Sequence, residues 1–364
     1  MGIFRSLKGA LGGEKGEPDD FFESTKKALT YGGIDDRWNA IRAAGELGAA
    51  FIGPLAAALS DEHWIVRRGA GDALVKIGEP AVGPLMKVFG TGNEATRTEA
   101  VLALRQIGPA AIPKLLEGIS DNSPGIRRGS IATLAAIGDP EVAARVLPAL
   151  DDPDPMVRQE AAGALGALGA TTAVDPLIRM LSDPVARVRT AAMRTLAAFG
   201  GASVGPLIAA LSSDREEITQ RASVILITIG EETIDPLLSA LEAGDPATRR
   251  TVPPILSRIA EPRVIPQLIG ALDDEDTGVR REVVKALAAL EPSSVLSLVE
   301  AFRQGTPRVR GGAMEALSLV GPDAAVPLFP SLSDKEPNVR RWTAVLIGEI
   351  GDGRAIEPLN TLVR

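Results

Sequence analysis

Apolar residues recur at intervals of three and four along the chain, in short stretches separated by turns. One clear stripe consists of Val66, Ala70, Ala73, Leu74 and Ile77. This spacing predicts an amphipathic helix, and Gly78 stands where a helix often ends in a left-handed residue. A second stripe follows at 82–89, with Pro84 where a first helical turn accepts proline. The pattern predicts two helices per segment, a longer helix A and a shorter helix B.

The same two-helix pattern returns every 30 or 31 residues. An arginine marks each unit, and a glycine follows it eleven positions later. The arginines are Arg37, Arg67, Arg97, Arg127, Arg158, Arg189, Arg249, Arg280, Arg310 and Arg340, with Thr219 in the seventh place. The glycines are Gly48, Gly78, Gly108, Gly138, Gly169, Gly200, Gly230, Gly321 and Gly351, with Ala260 and Glu291 in units eight and nine. Two series with one period predict about eleven repeats.

A unit of two short helices cannot bury both of its apolar faces, so the units must stack on one another. The sequence therefore predicts an all-α fold, an α-α superhelix or solenoid, over residues 35–364. Residues 19–34 are predicted to form a capping helix, and residues 1–18 a flexible or weakly amphipathic tail. The first six residues, MGIFRS, also fit the N-myristoylation pattern, with Gly2 as the acceptor.

Composition agrees with closely packed helices. Hydrophobic residues make up 45% of the chain but aromatic residues only 3%, so the interior must consist mainly of Ala, Leu, Val and Ile. The sequence has no cysteine, which excludes disulfides, thiolate metal sites and a cysteine nucleophile. It has no apolar run long enough for a transmembrane helix or a secretory signal, which predicts a cytoplasmic protein with at most weak membrane contact through the tail. A net charge of −8 argues against nucleic acid as the partner.

The pattern seen as DPDPMVRQEAAGALGALG and AVDPLIRML resembles HEAT repeats, in particular the short repeats named after phycobilisome lyase subunits. The resemblance covers about residues 35–364. It implies a HEAT-repeat solenoid in which helices B line the concave side. That group includes chromophore lyase subunits, a metal-dependent hydroxylase and many interaction scaffolds.

An aspartate recurs six positions before the arginine, at Asp61, Asp121, Asp152, Asp183, Asp274 and Asp334. We expect this aspartate to cap helix A, and the arginine to bond a carboxylate and carbonyls of an adjacent repeat. The two series then form a structural ladder between repeats rather than an anion-binding row.

The repeat pattern is least regular in units seven to nine. Pro253 and Pro254 follow Arg249 inside a predicted helix A, and are expected to delay, kink or split it, because each removes an N–H and crowds the preceding turn. Such a departure is either a tolerated flaw or the mark of a bend or recognition site.

The sequence offers little for catalysis. His63 is the only histidine, and no His-Glu dipeptide supplies the ligands that a di-iron hydroxylase of this repeat group needs. No phosphate-binding glycine motif is present. The acidic pairs Asp151-Asp152 and Asp273-Asp274 lie in turns, where helix capping and solvation explain them. The prediction is a protein that is not an enzyme, with no catalytic residue, no metal site and no cofactor.

Outward positions of helices B are the candidate site, because the resemblance places them on the concave side. The residues chosen as protein-binding are Lys87, Glu117, Arg179, Met180, Ser239 and Glu300. A neighbouring column is mostly small, so a peptide helix or extended segment could lie along it, or its small residues could serve helix packing alone. The predicted function is a non-catalytic scaffold that binds a protein partner on this face. The alternatives are a lyase or chaperone-like subunit for tetrapyrrole-bearing, phycobilin-type proteins and, less favoured, nucleic-acid binding.

Overall fold

The computed structural model describes residues 18–362, and within that range the backbone forms helices, turns and loops without a β-strand. The predicted tail at 1–18 and the acceptor Gly2 lie outside the described residues, apart from Pro18. The fold is the predicted all-α superhelix.

The α-helices are α1 Pro18–Tyr31, α2 Ile34–Leu47, α3 Ile52–Ala58, α4 Trp64–Ile77, α5 Val82–Thr91, α6 Glu94–Ile107, α7 Ile112–Gly118, α8 Pro124–Ile137, α9 Ala143–Val146, α10 Pro155–Ala167, α11 Val174–Met180, α12 Ala186–Ala198, α13 Gly201–Ala209, α14 Glu216–Ile229, α15 Ile234–Ala243, α16 Pro246–Ile259, α17 Ile265–Gly270, α18 Thr277–Ala289, α19 Val295–Gln304, α20 Pro307–Val320, α21 Pro322–Leu328, α22 Pro337–Ile350 and α23 Ile356–Leu362. Helix α1 precedes the first repeat, and its role as a cap stays a prediction. The even-numbered helices are helices A, and the odd-numbered helices from α3 onward are helices B.

Each glycine of the predicted series has a positive φ angle, which confirms its role at the end of helix A. Two backbone forms occur. Gly138, with φ 80° and ψ 22°, has the left-handed helical form. Gly78, with φ 79° and ψ −141°, lies in a region that only glycine populates. The second form leads directly into the short turn that opens helix B.

Helix α16 shows where the repeat pattern misled the prediction. It is one continuous helix from Pro246 to Ile259 with Pro253 and Pro254 inside it, so the expectation of a delayed or split helix was wrong. Asp245 caps the helix by accepting hydrogen bonds from the Ala247 and Thr248 amides. Pro253 is buried, and we attribute the continuity to this cap and to packing against neighbouring helices, which outweighs helix propensity.

The repeats fall into two compact units, Met1–Thr195 and Leu196–Arg364. In each unit, helices A pack side by side in one layer and helices B form a second layer against them. In the first unit, the core between the layers contains the fully buried Leu55, Leu74, Leu85, Leu104, Leu115, Leu134, Leu165 and Leu177. In the second unit, the same positions hold Leu207, Leu226, Leu237, Leu256, Leu268, Leu287, Leu298, Leu317, Leu328 and Leu346. Burial of one such side chain contributes about 2 kcal/mol, so regular leucines stabilise every repeat.

Candidate protein-interaction surfaces

A ladder of ion pairs links successive repeats at the turns before helices A. Arg127 donates from Nε and Nη2 to the two carboxylate oxygens of Asp152, both at 2.7 Å. Arg158 makes the same fork to Asp183 at 2.8 and 3.1 Å. Equivalent ion pairs join Arg37 to Asp61, Arg249 to Asp274 and Arg310 to Glu336, each at 2.9 Å. The predicted structural ladder is confirmed for these five arginines, whose guanidinium groups are occupied by the contacts. Arg67, Arg189, Arg280 and Arg340 bond carbonyls in the turn of their own repeat instead.

The bonds of the ladder differ from the prediction in two respects. Asp152 does not cap helix α10 but accepts a hydrogen bond from the Asp154 amide at 2.8 Å, and Asp154 is the capping residue. Arg127 Nη1 donates to the carbonyl of Asp121 in the turn of its own repeat, at 3.0 Å, rather than to carbonyls of an adjacent one. Asp152 therefore orders the turn before α10. Arg127 ties the turn of its own repeat to the Asp152 carboxylate of the next repeat.

The ladder also lowers the pKa of one of its carboxylates, that of Asp152. Burial raises the pKa of Asp152, but hydrogen bonds from Arg127 and the Asp154 amide, with the charges of Arg127 and Arg158, outweigh it and lower the pKa below its ordinary value.

Glu160, outside the ladder, has a pKa above its ordinary value, because its own burial raises the pKa more than the charge of Arg128 lowers it. The Arg128 guanidinium lies 4.0 Å from Glu160 and 3.5 Å from Glu94.

Five of the six predicted binding residues have exposed side chains, namely Lys87, Glu117, Arg179, Ser239 and Glu300. Met180 is 6% exposed and belongs to the core, so its placement on the outer face was wrong. The cause is its position one residue farther along helix B, which turns the side chain toward the neighbouring helices. The small residues of the same column, such as Ala149 and Gly118, are also buried. A Cβ atom on Gly118 would lie 2.4 Å from Met86 Cε, so this column serves helix packing.

Charge on helices B differs between the two units, a feature that sequence reasoning missed. In the first unit these helices carry Lys87, Lys114, Arg145 and Arg179 against Glu117 and Asp175. In the second unit they carry Asp235, Glu242, Glu300, Asp323 and Glu357 against Arg303. The helix B surface is therefore net positive in the first unit and net negative in the second. Adding the charges of the predicted helices B separately for each half of the sequence would have revealed it.

Three of the four cations on helices B of the first unit have no ion pair among the described residues. Lys114 pairs with Glu117 at 2.7 Å. Among the described residues, by contrast, Lys87, Arg145 and Arg179 have no carboxylate within ion-pair distance, and all three are exposed. They remain available to an external carboxylate.

Hollows between helices A of successive repeats occur in both units, and the sequence did not predict them; two of them are bordered by a tryptophan. One, of about 420 Å³, lies between α2 and α4 beside Trp38 and Gly69. The other, of about 540 Å³, lies between α20 and α22 beside Gly311 and Trp342. Glycines and tryptophans at outward positions of helices A were the available signal.

His63 lies in the turn before α4, with Nε2 3.3 Å from a Glu62 carboxylate oxygen. Among residues 18–362, no group of three or more His, Asp or Glu side chains is arranged to hold a metal ion. In the same part of the chain, no helix is both long enough and apolar enough to cross a membrane.

Sequence comparison identifies the family. HEAT repeats match residues 28–104, 84–152, 143–228, 206–288 and 234–318, so the chain belongs to the HEAT-repeat family. The match is to HEAT repeats in general, and membership of the phycobilisome-lyase-like group stays a prediction. No curated protein sequence matches this chain.

Several solved structures are similar to the chain. Human deoxyhypusine hydroxylase in complex with glycerol is 24% identical over 68% of this chain and 98% of that one, with a TM-score of 0.29. A Kap121p mutant is 16% identical over 94% of this chain and 50% of that one, with a TM-score of 0.46. Yeast importin-β, Kap95p, is 13% identical over 98% of this chain and 56% of that one, with a TM-score of 0.36. The chain thus spans about half the length of the last two proteins.

Proposed function

We propose that the chain is a non-catalytic scaffold that binds a protein partner along helices B, and that acidic residues of this partner meet helices B of the first unit. The observation that carries the proposal is the set of exposed, unneutralised cations Lys87, Arg145 and Arg179. The arginines of the ladder are unsuitable for this role, because carboxylates of the next repeat already bind them.

Unpaired surface charge of one sign steers an oppositely charged partner and sets its orientation, although each exposed pair adds little affinity. Helices packed side by side are about 8–10 Å apart. An extended polypeptide advances about 3.3 Å per residue. Arg145 and Arg179 belong to successive repeats. An acidic residue roughly every third position would therefore match their spacing in an extended partner segment.

Helices B of the second unit carry the opposite net charge. Glu242 and Glu300 are exposed there, and Asp235 is bound to Arg263 at 2.9 Å. A basic segment of a partner suits this surface. The proposal thus assigns an acidic partner segment to helices B of the first unit and a basic segment to helices B of the second. Charge-reversing substitutions on helices B of one unit at a time can test the two assignments separately.

The test is affinity capture with the full chain from nuclease-treated extract of the source cells, followed by binding measurements on the protein recovered. Replacing Lys87 and Arg179 together by Glu should weaken binding at least about 10-fold and reduce its dependence on salt. Arg105→Glu is the matched control, because Arg105 is an exposed cation on helix A of the third repeat. Equal losses in the two variants would contradict the choice of face, and recovery of no protein from the nuclease-treated extract would contradict a protein partner.

A further inference from the structure

The hollow between α20 and α22 has an apolar interior. Phe302, 3% exposed, comes from helix B of the preceding repeat, and Pro307, Met314 and Val339 line the hollow beside it. Trp342 lines the same space and is 44% exposed. Val345 is 40% exposed and lies one turn farther along α22, so the apolar surface continues beyond the hollow.

Gly311 leaves this hollow open. A Cβ atom on Gly311 would meet no atom within 4 Å, and its φ angle is not in the range that favours glycine. Neither packing nor backbone conformation therefore requires glycine, which is an unfavourable residue inside a helix. The other ten repeats have a side chain at this position: Trp38, Arg68, Thr98, Arg128, Gln159, Thr190, Gln220, Arg250, Arg281 and Arg341.

Arg341 gives the hollow a charge that lacks a counterpart. Its guanidinium lies over the Trp342 ring, 5.4 Å from the ring centroid. The arginines at the same position in other repeats have carboxylate neighbours, in the pairs Arg68–Asp72, Arg128–Glu94, Arg250–Asp276 and Arg281–Glu282. Among the described residues, no carboxylate lies within ion-pair distance of Arg341.

We propose that this hollow is a second interaction surface, which binds a short acidic segment of a partner protein. An apolar side chain of that segment enters over Gly311 and packs against Trp342 and Met314, and an adjacent Asp or Glu pairs with Arg341. The other hollow differs in its charges, because Lys76 there already pairs with Glu46. The inference rests on helices A of the second unit and is independent of the proposed helix B surface.

A displayed library of random dodecapeptides tests the proposal. The library is selected on the full chain, and the pool is then compared on the variants Gly311→Phe, Arg341→Glu and Gly163→Ala. Gly311→Phe places a ring in the hollow, and its Cβ meets no atom within 4 Å. Gly163→Ala is the control for loss of a helical glycine, since Gly163 is exposed inside α10 and its Cβ would also meet no atom within 4 Å. Thermal melting followed by circular dichroism checks that each variant is folded.

The enriched peptides should combine Phe, Leu or Met with Asp or Glu. Their affinity should fall at least about 10-fold in Gly311→Phe and stay unchanged in Gly163→Ala. Selection on Arg341→Glu should shift the pool toward Lys and Arg. A pool that binds Gly311→Phe as well as the original chain, or that is basic from the start, would overturn the proposal. So would a dimer in sedimentation that Gly311→Phe abolishes, because a second copy would then be the occupant.

Discussion

Arg127 and Asp152 join two successive repeats through a two-bonded fork, in which Nε and Nη2 of the arginine each donate to one carboxylate oxygen at 2.7 Å. Both side chains are largely shielded, at 12% and 9% exposure. The fork holds the turn before α10 in place, because Asp152 also accepts from the Asp154 amide. Contacts of this kind also join Arg37, Arg158, Arg249 and Arg310 to the turn of the next repeat.

Replacing Asp152 by Asn should lower the free energy of unfolding. Asn keeps the shape of the side chain but loses its charge, so one of the two bonds to Arg127 loses its acceptor. Solvent partly screens the pair, and we expect a loss of about 1 kcal/mol. Urea unfolding followed by circular dichroism measures it. The neighbouring Asp151→Asn is the control, since Asp151 is exposed; an equal loss there would assign the effect to net charge.

Stability should depend on pH in the acid range. Asp152, Asp245, Asp276, Asp334 and Asp352 all have pKa values lowered in the folded chain. A lowered pKa means that the folded state favours the carboxylate, so its contribution is complete above the ordinary aspartate pKa of about 3.9 and is lost below it. The unfolding free energy should therefore change little from these groups between neutral pH and about pH 5, and fall as the pH drops below about 4. A urea series across this range measures the effect, and equal stability at pH 7 and pH 3 would contradict the account.

Glu160 should behave in the opposite way. Burial raises its pKa, so the folded state favours the protonated acid and its ionisation at neutral pH costs stability. Glu160→Gln should raise the unfolding free energy at pH 7 by an amount on the order of 1 kcal/mol or less, and the gain should vanish in acid. Glu141→Gln, at an exposed position, is the control and should have little effect. A loss of stability in Glu160→Gln would show that the Arg128 ion pair is the larger contribution.

Ala260 offers a substitution that should stabilise the chain. It ends α16 with φ 59° and ψ 34°, the left-handed conformation that glycine adopts without strain. Ala260→Gly should raise the unfolding free energy by about 1 kcal/mol, after the entropy that glycine adds to the unfolded chain is subtracted. The same measurement on Gly78→Ala should show a loss, because Gly78 lies in a region that alanine avoids.

The repeat pattern predicted most of the fold, because local rules decide it. The glycines that end helices A have positive φ angles, and four of the six predicted aspartates pair with an arginine of the series. The errors arose where packing overrides local rules. Pro253 and Pro254 lie in an unbroken helix, and Met180 turns into the core one residue beyond the exposed Arg179. The hollow at Gly311 lies between helices A of two successive repeats. Its presence depends on how these two helices pack, which the sequence of one repeat does not show.

Hydrogen–deuterium exchange of the full chain, alone and with the protein it captures, is the most direct test of the interaction surface. Protection should appear in helices B of the first unit, at residues 82–91, 112–118, 143–146 and 174–180, and helices A of that unit should exchange as in the free chain. The double variant Lys87→Glu with Arg179→Glu should lose this protection, and Arg105→Glu should keep it. Protection confined to helices A of the first unit would contradict the proposal.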